Sequence, residues 1–128
     1  MKYGMSIAVI VIVAAIGVYL YAHRGTVQHS ADAVLIVGTV TVTVNENGFS
    51  PNTITIKNHT QVVFKNIGTG SHWPASDIHP THGIYPEFDP QRPVVAGDSW
   101  SFVFTRIGAW RMHDHLMPSH LGTITVTQ

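Results

Sequence analysis

The side chains best suited to chemistry in this 128-residue chain are its nine histidines, seven of which follow residue 58. His113, Asp114 and His115 are consecutive, and a long polar stretch before them carries more imidazoles. The other candidate ligands are His72, His79, His82 and His120. The chain has no cysteine, which excludes disulfides and thiolate ligands. Because imidazole and carboxylate donors suit Cu(II) or Zn(II), the sequence predicts a thiolate-free metal site.

Two arrangements of these residues are open. In an extended strand, Asp114 points to one face while His113 and His115 point to the other. The first arrangement joins Asp114 to His72 and to Met117 or His120. The second joins His113 and His115 to a loop histidine, His82 before His79. Glu87 and Asp89 are carboxylates that could orient the imidazoles, and Asp77 is another polar residue of the same loop. Without a metal, the histidines would be solvated or hydrogen-bonded to backbone, and Asp114 would form a turn.

Short strand patterns surround these residues. Apolar and β-branched side chains favour strands over residues 34–44, 53–56, 61–66, 99–105, 109–113 and 123–127. Residues 67–93 have no regular pattern and predict a long loop, a feature that is often functional. Tyr85 and Phe88 are expected to hold this loop on the domain. Without an amphipathic helix in this region, the pattern predicts an all-β sandwich.

The amino-terminal segment reads as a separate unit. Residues 3–22 carry no charge and would span roughly 30 Å as a helix, the thickness of one hydrocarbon core. We predict a membrane anchor over residues 1–23, a linker over 24–33 and the main domain over 34–128. The domain is expected to face the periplasm or exterior of the cytoplasmic membrane. The alternatives are a cleaved signal peptide, whose nearest small-residue site begins at Ala31, and a core helix.

Three segments resemble the cupredoxins. They are residues 48–56 (Gly-Phe-Ser-Pro-Asn-Thr-Ile-Thr-Ile), residues 62–66 followed by His72, and residues 97–124. The resemblance implies a Greek-key β-sandwich in which His72 matches the first copper histidine. Asp114 stands where blue-copper members have cysteine, Met117 where the second histidine often lies, and His120 where the axial methionine often lies. Only one ligand of the blue site is therefore retained by type.

The same hairpin also resembles the histidine run of multicopper oxidases. Trp110, His113, His115 and Leu116 match that run, again with Asp114 in place of cysteine. In those oxidases the two flanking histidines bind coppers at a domain interface, so a single domain of that type would need oligomers to build a cluster.

The function expected from these observations is copper handling by a membrane-anchored domain with a non-blue site, with zinc as a possible metal. The expected copper ligands are His72, His113 and His115, with His82 before His79 as the next candidate. Its expected partners are the membrane, the metal ion and a redox or copper-transfer protein. Electron transfer or a role as accessory subunit of a redox complex is the alternative, as is a metal-free interaction domain. An enzyme such as a small copper oxidase has weaker support. Seven basic and seven acidic residues without a basic cluster exclude a nucleic-acid partner.

Overall fold

The computed structural model describes residues 37–128, which form eight β-strands in two four-stranded sheets. The strands are β1 (Gly38–Asn45), β2 (Gly48–Ser50), β3 (Thr53–Lys57), β4 (Thr60–Asn66), β5 (Pro74–Ser76), β6 (Ser99–Phe104), β7 (Gly108–Asp114) and β8 (Met117–Thr127). The expected all-β sandwich is confirmed.

Each sheet mixes parallel and antiparallel pairs. In the first sheet, with order β2-β1-β4-β6, β1 runs parallel to β4 and the other neighbours are antiparallel. In the second, with order β3-β8-β7-β5, β3 runs parallel to β8, and β7 is antiparallel to both β8 and β5. The end of β7 therefore lies between β5 and the start of β8, and this is the region of the candidate ligands.

A single apolar core lies between the sheets. Val42 and Val44 of β1, Phe64 of β4, and Ile124 and Val126 of β8 are at most 1% exposed. They come from alternate positions, because every second side chain of a strand faces the same side. The alternation read from the sequence thus selects the face that each strand buries.

The long loop is anchored by aromatic side chains. Tyr85 and Phe88 are 1% and 0% exposed, and Phe88 stacks on Phe64 with ring centroids 5.4 Å apart. Burying an aromatic side chain of this size contributes about 1.5–3 kcal/mol. The irregular segment that carries His79 and His82 is therefore held against the core at its centre.

Three features of the strands differ from the expectation. β2 and β5 are three residues each, too short to produce an alternating pattern. β5 lies at a sheet edge, where Pro74, which lacks an N–H, is tolerated. β8 begins at Met117 rather than at residue 123, because pairing with β7 keeps the polar segment extended.

Among residues 37–128, no helix is long and apolar enough to cross a membrane. The expected anchor (1–23) and linker (24–33) lie outside the described residues.

Candidate metal centre

The end of β7 presents the His-Asp-His run. His113 pairs with Ala75 of β5, and the pairing with β8 shifts register between His113 and Asp114. β7 ends at Asp114, but the N–H of His115 donates to the carbonyl of Trp73 at 2.8 Å. The chain therefore stays attached to the neighbouring segment one residue past the strand.

Four histidines meet beside this strand end; we call His79, His82, His113 and His115 the four-histidine cluster. Nδ1 of His79 lies 3.3 Å from Nε2 of His113, and Nε2 of His82 lies 2.9 Å from Nδ1 of His115. His79, His113 and His115 each offer a ligand nitrogen within 4.8 Å of the others. The ring centroids of His79 and His115 are 4.8 Å apart, and those of His82 and His113 are 5.3 Å apart.

Two carboxylates orient two of these imidazoles. Nδ1 of His113 lies 3.0 Å from Oδ1 of Asp77, and Nδ1 of His82 lies 2.7 Å from Oδ2 of Asp89. Because an ionised carboxylate only accepts hydrogen bonds, each Nδ1 carries the donated proton. In the neutral imidazoles, Nε2 then bears a lone pair that faces another histidine of the cluster. This carboxylate–histidine arrangement is typical of metal-binding histidines.

The two carboxylates are themselves held in place. Asp89 accepts hydrogen bonds from Nε1 of Trp73 at 2.8 Å and from the N–H of Gln91 at 2.7 Å. Asp77 forms an ion pair with Arg111, whose Nε lies 3.1 Å from Oδ2. Each imidazole orientation is thus tied to a wider hydrogen-bond network.

The electrostatics of the cluster favour the protonation states that a metal needs. Burial lowers the pKa of His113, and the neighbouring His82 and His79 lower it further against the opposing effect of Asp77. Burial and the same two histidines lower the pKa of His115. Burial opposes ionisation of Asp89, but hydrogen bonds outweigh it and lower the pKa of that carboxyl. Neutral imidazoles at His113 and His115, the form that binds a metal ion, are therefore favoured at neutral pH.

Asp114 belongs to a different group. Its Oδ2 lies 2.6 Å from Nδ1 of His72, and the two residues are 0% and 1% exposed. Its Oδ1 accepts hydrogen bonds from the N–H groups of Trp73 and Leu116 at 2.9 and 3.0 Å. The carboxylate therefore joins the loop before β5 to the turn before β8.

His120 lies beside this pair. One ligand atom from each of His72, Asp114 and His120 lies within 4.8 Å of the others. Nε2 of His72 and Nδ1 of His120 are buried and have no hydrogen-bond partner among the described residues. Met117, the other residue considered for this group, is 40% exposed.

The two groups differ in how well their donors fit a metal. In the four-histidine cluster, the lone pairs of His113 and His82 face neighbouring imidazoles. Three of its members, His79, His113 and His115, have ligand nitrogens within 4.8 Å of one another, and such nitrogen donors suit Cu(II) or Zn(II). In the second group, the separation between Asp114 and His72 is that of a short charge-assisted hydrogen bond. Both oxygens of Asp114 already accept protein hydrogen bonds. These contacts favour the four-histidine cluster as the candidate metal-binding set, although the unpartnered nitrogens of His72 and His120 lie in the other group.

The loop that leads to His72 is held by Glu46, a residue that the sequence analysis did not single out. Oε1 of Glu46 accepts from the N–H and hydroxyl of Thr69 at 2.6 and 2.7 Å and from the N–H of Gly70 at 3.3 Å. Hydrogen bonds from the Thr69 N–H, the Thr69 hydroxyl and neighbouring backbone lower the pKa of Glu46 to about 2. Its position in a turn after β1 carries no sequence signal for this contact.

The structure thus divides the seven predicted site residues into two groups. One group is the four-histidine cluster of His79, His82, His113 and His115. His72, Asp114 and His120 form the other. His72 therefore lies with Asp114, to which it is hydrogen-bonded, and not with His113 and His115 as the sequence predicted. Asp77 and Asp89 orient histidines, whereas Glu87 pairs with Arg106 at the surface, 2.7 Å from its guanidinium.

Comparison with solved structures identifies the architecture. A purple cupredoxin from Nitrosopumilus maritimus is 23% identical, with a TM-score of 0.61 over 69% of this chain and 99% of that chain. The domain has the cupredoxin fold. A reduced amicyanin variant is 17% identical, with a TM-score of 0.61 over 73% of this chain and 86% of that chain.

The cupredoxin fold also matches part of a larger protein. The copper-containing nitrite reductase NirK from Thermus scotoductus SA-01 is 24% identical, with a TM-score of 0.60 over 70% of this chain but only 22% of that chain. No family model matches the chain, and no curated protein matches it in sequence. Because the chain contains no cysteine, this cupredoxin fold carries no blue-copper thiolate ligand.

Proposed function

We propose that this chain is a copper-binding protein that holds copper in the four-histidine cluster and handles the ion outside a cytoplasmic membrane. The observation that carries the proposal is the orientation of two imidazoles. Asp77 and Asp89 bind Nδ1 of His113 and His82, which leaves both Nε2 atoms directed at the other histidines of the cluster. A bound copper would replace the contacts between the imidazoles with metal–nitrogen bonds.

Copper rather than zinc is supported by the fold, because structures similar to this chain include Cu(I) amicyanin and a copper-containing nitrite reductase. Storage, delivery or sensing fits better than electron transfer. A site without thiolate lacks the Cu–S bond and the trigonal geometry of blue electron-transfer centres. The apolar segment over residues 3–22 supports attachment of the domain to a membrane, and its partner there would be a redox or copper-transfer protein.

Copper titration of the full chain in detergent tests this proposal. We expect one tight equivalent of Cu(II), weak visible absorption and a wide copper hyperfine splitting in the electron paramagnetic resonance (EPR) spectrum. The H113A/H115A double variant should lose the tight site, whereas H59N, which alters a histidine on a distant turn, should keep it. Unchanged copper affinity in the double variant would contradict the site assignment. Tight binding of zinc but not copper would contradict the metal assignment.

A further inference from the structure

The four histidines of the cluster differ in how firmly the protein holds them. His113 is 1% exposed, lies in β7 and is bound by Asp77. His82 is 5% exposed, is bound by Asp89, and its N–H donates to the carbonyl of Ile78 at 2.7 Å. Both imidazoles are therefore held in one orientation without a metal, and this preorganisation lowers the entropic cost of metal binding.

The backbone of His82 supports the same conclusion. Its φ is +54°, in the left-handed region, which costs a non-glycine residue roughly 1–2 kcal/mol. The surrounding loop maintains this conformation through the buried side chain of His82 and through its carbonyl, which accepts a hydrogen bond from the Ser76 hydroxyl at 2.7 Å. His82 is thus constrained at backbone and side chain alike.

His115 is held by a neighbouring aromatic ring. The Trp73 ring packs against its imidazole with centroids 4.7 Å apart, and its N–H donates to the Trp73 carbonyl. Trp73 is in turn fixed through its indole N–H to Asp89. Three histidines therefore form a framework whose orientation does not depend on the fourth.

His79 is held differently. It is exposed, as are its neighbours Ile78 and Pro80. Within residues 37–128, its imidazole makes one hydrogen bond, the 3.3 Å contact with His113, and no hydrogen bond holds its backbone. Its ring otherwise packs against His113 and His115. Moving this side chain away would break few contacts and would expose the cluster to solvent.

We infer that His79 is the exchangeable ligand of the cluster, and that copper enters and leaves the site on its side. This inference rests on the proposed function. The step is a ligand exchange: the copper–nitrogen bond to His79 breaks while a bond to an incoming neutral nitrogen donor of the imidazole class forms. The copper keeps its oxidation state, and no electron or proton is transferred. His113 and His115, whose ligand nitrogens lie within 4.8 Å of each other, would hold the ion during the exchange, and His82, 2.9 Å from His115, would be the third donor.

The test compares H79N with H82N in the full chain in detergent. Asparagine is chosen for both because it tolerates the left-handed backbone of position 82. Each protein is loaded with Cu(II), and three quantities are measured: the affinity by competition, the rate of copper transfer to a chelator, and the EPR spectrum with and without added imidazole.

We expect H79N to keep one copper equivalent, with an affinity loss smaller than that of H82N in the same competition titration. Its copper should transfer to the chelator faster than that of the unsubstituted protein. Added imidazole should restore the original spectrum and slow the transfer, because the missing ligand lies at an open surface. H82N should lose more affinity, and imidazole should not restore it, because position 82 is buried.

The inference is overturned if H79N transfers copper no faster than the unsubstituted protein, if imidazole fails to restore its spectrum, or if imidazole restores H82N equally well. Should H82N fail to fold by circular dichroism, D89N replaces it as the comparison, because it keeps every histidine. Failure of the unsubstituted protein to bind copper would instead refute the proposed function, so the two failures are distinguishable.

Discussion

Replacing Asp114 with alanine should destabilise the metal-free domain by about 2–6 kcal/mol, because it removes the acceptor of two buried hydrogen-bond donors. One buried carboxylate accepts hydrogen bonds from Nδ1 of His72 and from the N–H groups of Trp73 and Leu116. In D114A, Nδ1 of His72 and the N–H of Trp73 would be buried without a hydrogen-bond acceptor, which costs about 1–3 kcal/mol of stability for each donor. The third lies beside an exposed residue, where water can replace the carboxylate. A loss of about 4 kcal/mol lowers the melting temperature of a domain of this size by about 16–32 °C.

The D114N variant separates shape from charge. Its Oδ1 can still accept from Trp73 and Leu116, and its Nδ2 can donate to Nδ1 of His72 in the other tautomer. The charge assistance is lost, and the proton of His72 moves to the buried Nε2, which has no acceptor among the described residues. We therefore expect a loss of about 1–3 kcal/mol, the cost of one buried donor without a partner. D98N is the matched control, because Asp98 is exposed and its replacement should stay within about 0.5 kcal/mol.

The assay is urea unfolding of the full chain in detergent with a chelator present, followed by tryptophan fluorescence. A loss below about 1 kcal/mol for D114A would refute the assignment of Asp114 as a buried clamp, because surface substitutions change stability by that little. The copper-loaded proteins give a second readout. D114N should retain the copper EPR spectrum, and a changed spectrum would identify Asp114 as a ligand.

Two further predictions concern the other carboxylates. The pKa of Glu46 is lowered from 4.5 to about 2, so its contribution to stability is complete above pH 4.5 and is lost as the pH falls toward 2. E46Q should therefore show a smaller drop in melting temperature between pH 4.5 and pH 2 than the unsubstituted protein. Parallel pH profiles for the two proteins would contradict a stabilising role of the hydrogen bonds between Glu46 and Thr69. The D89N substitution removes the orienting partner of His82 and should weaken copper binding by about 10- to 100-fold in a competition titration. The control is E87Q, because Glu87 pairs with Arg106 at the surface and its replacement should leave copper affinity unchanged. Equal affinities for D89N and E87Q would show that Asp89 does not orient a ligand.

Local sequence was sufficient to predict the sandwich and part of the site. The alternation of Val42 and Val44 in β1, and of Ile124 and Val126 in β8, follows directly from the two-residue period of a strand, and these side chains form the core. The same period predicted that His113 and His115 would lie apart from Asp114. The absence of cysteine excluded a blue-copper site with no need for coordinates.

Contacts between segments that are distant in sequence could not be predicted from the local pattern of residues. His82 meets His115 across 33 positions and His72 meets Asp114 across 42, so no local pattern encodes either pair. β5 is a strand only because β7 offers it an edge to pair with. The sequence predicted Glu87 and Asp89 as orienting carboxylates, yet Asp77 and Asp89 contact imidazoles while Glu87 pairs with Arg106.

The sequence by itself therefore determined the elements of this protein and the chemistry available to it: strands with one apolar face, many imidazoles and no thiolate. Only the tertiary structure decided which imidazoles share a site. The physical reason is that periodicity depends on neighbours along the chain, whereas a binding site depends on where β5, the long loop and the β7–β8 turn converge once the core has formed.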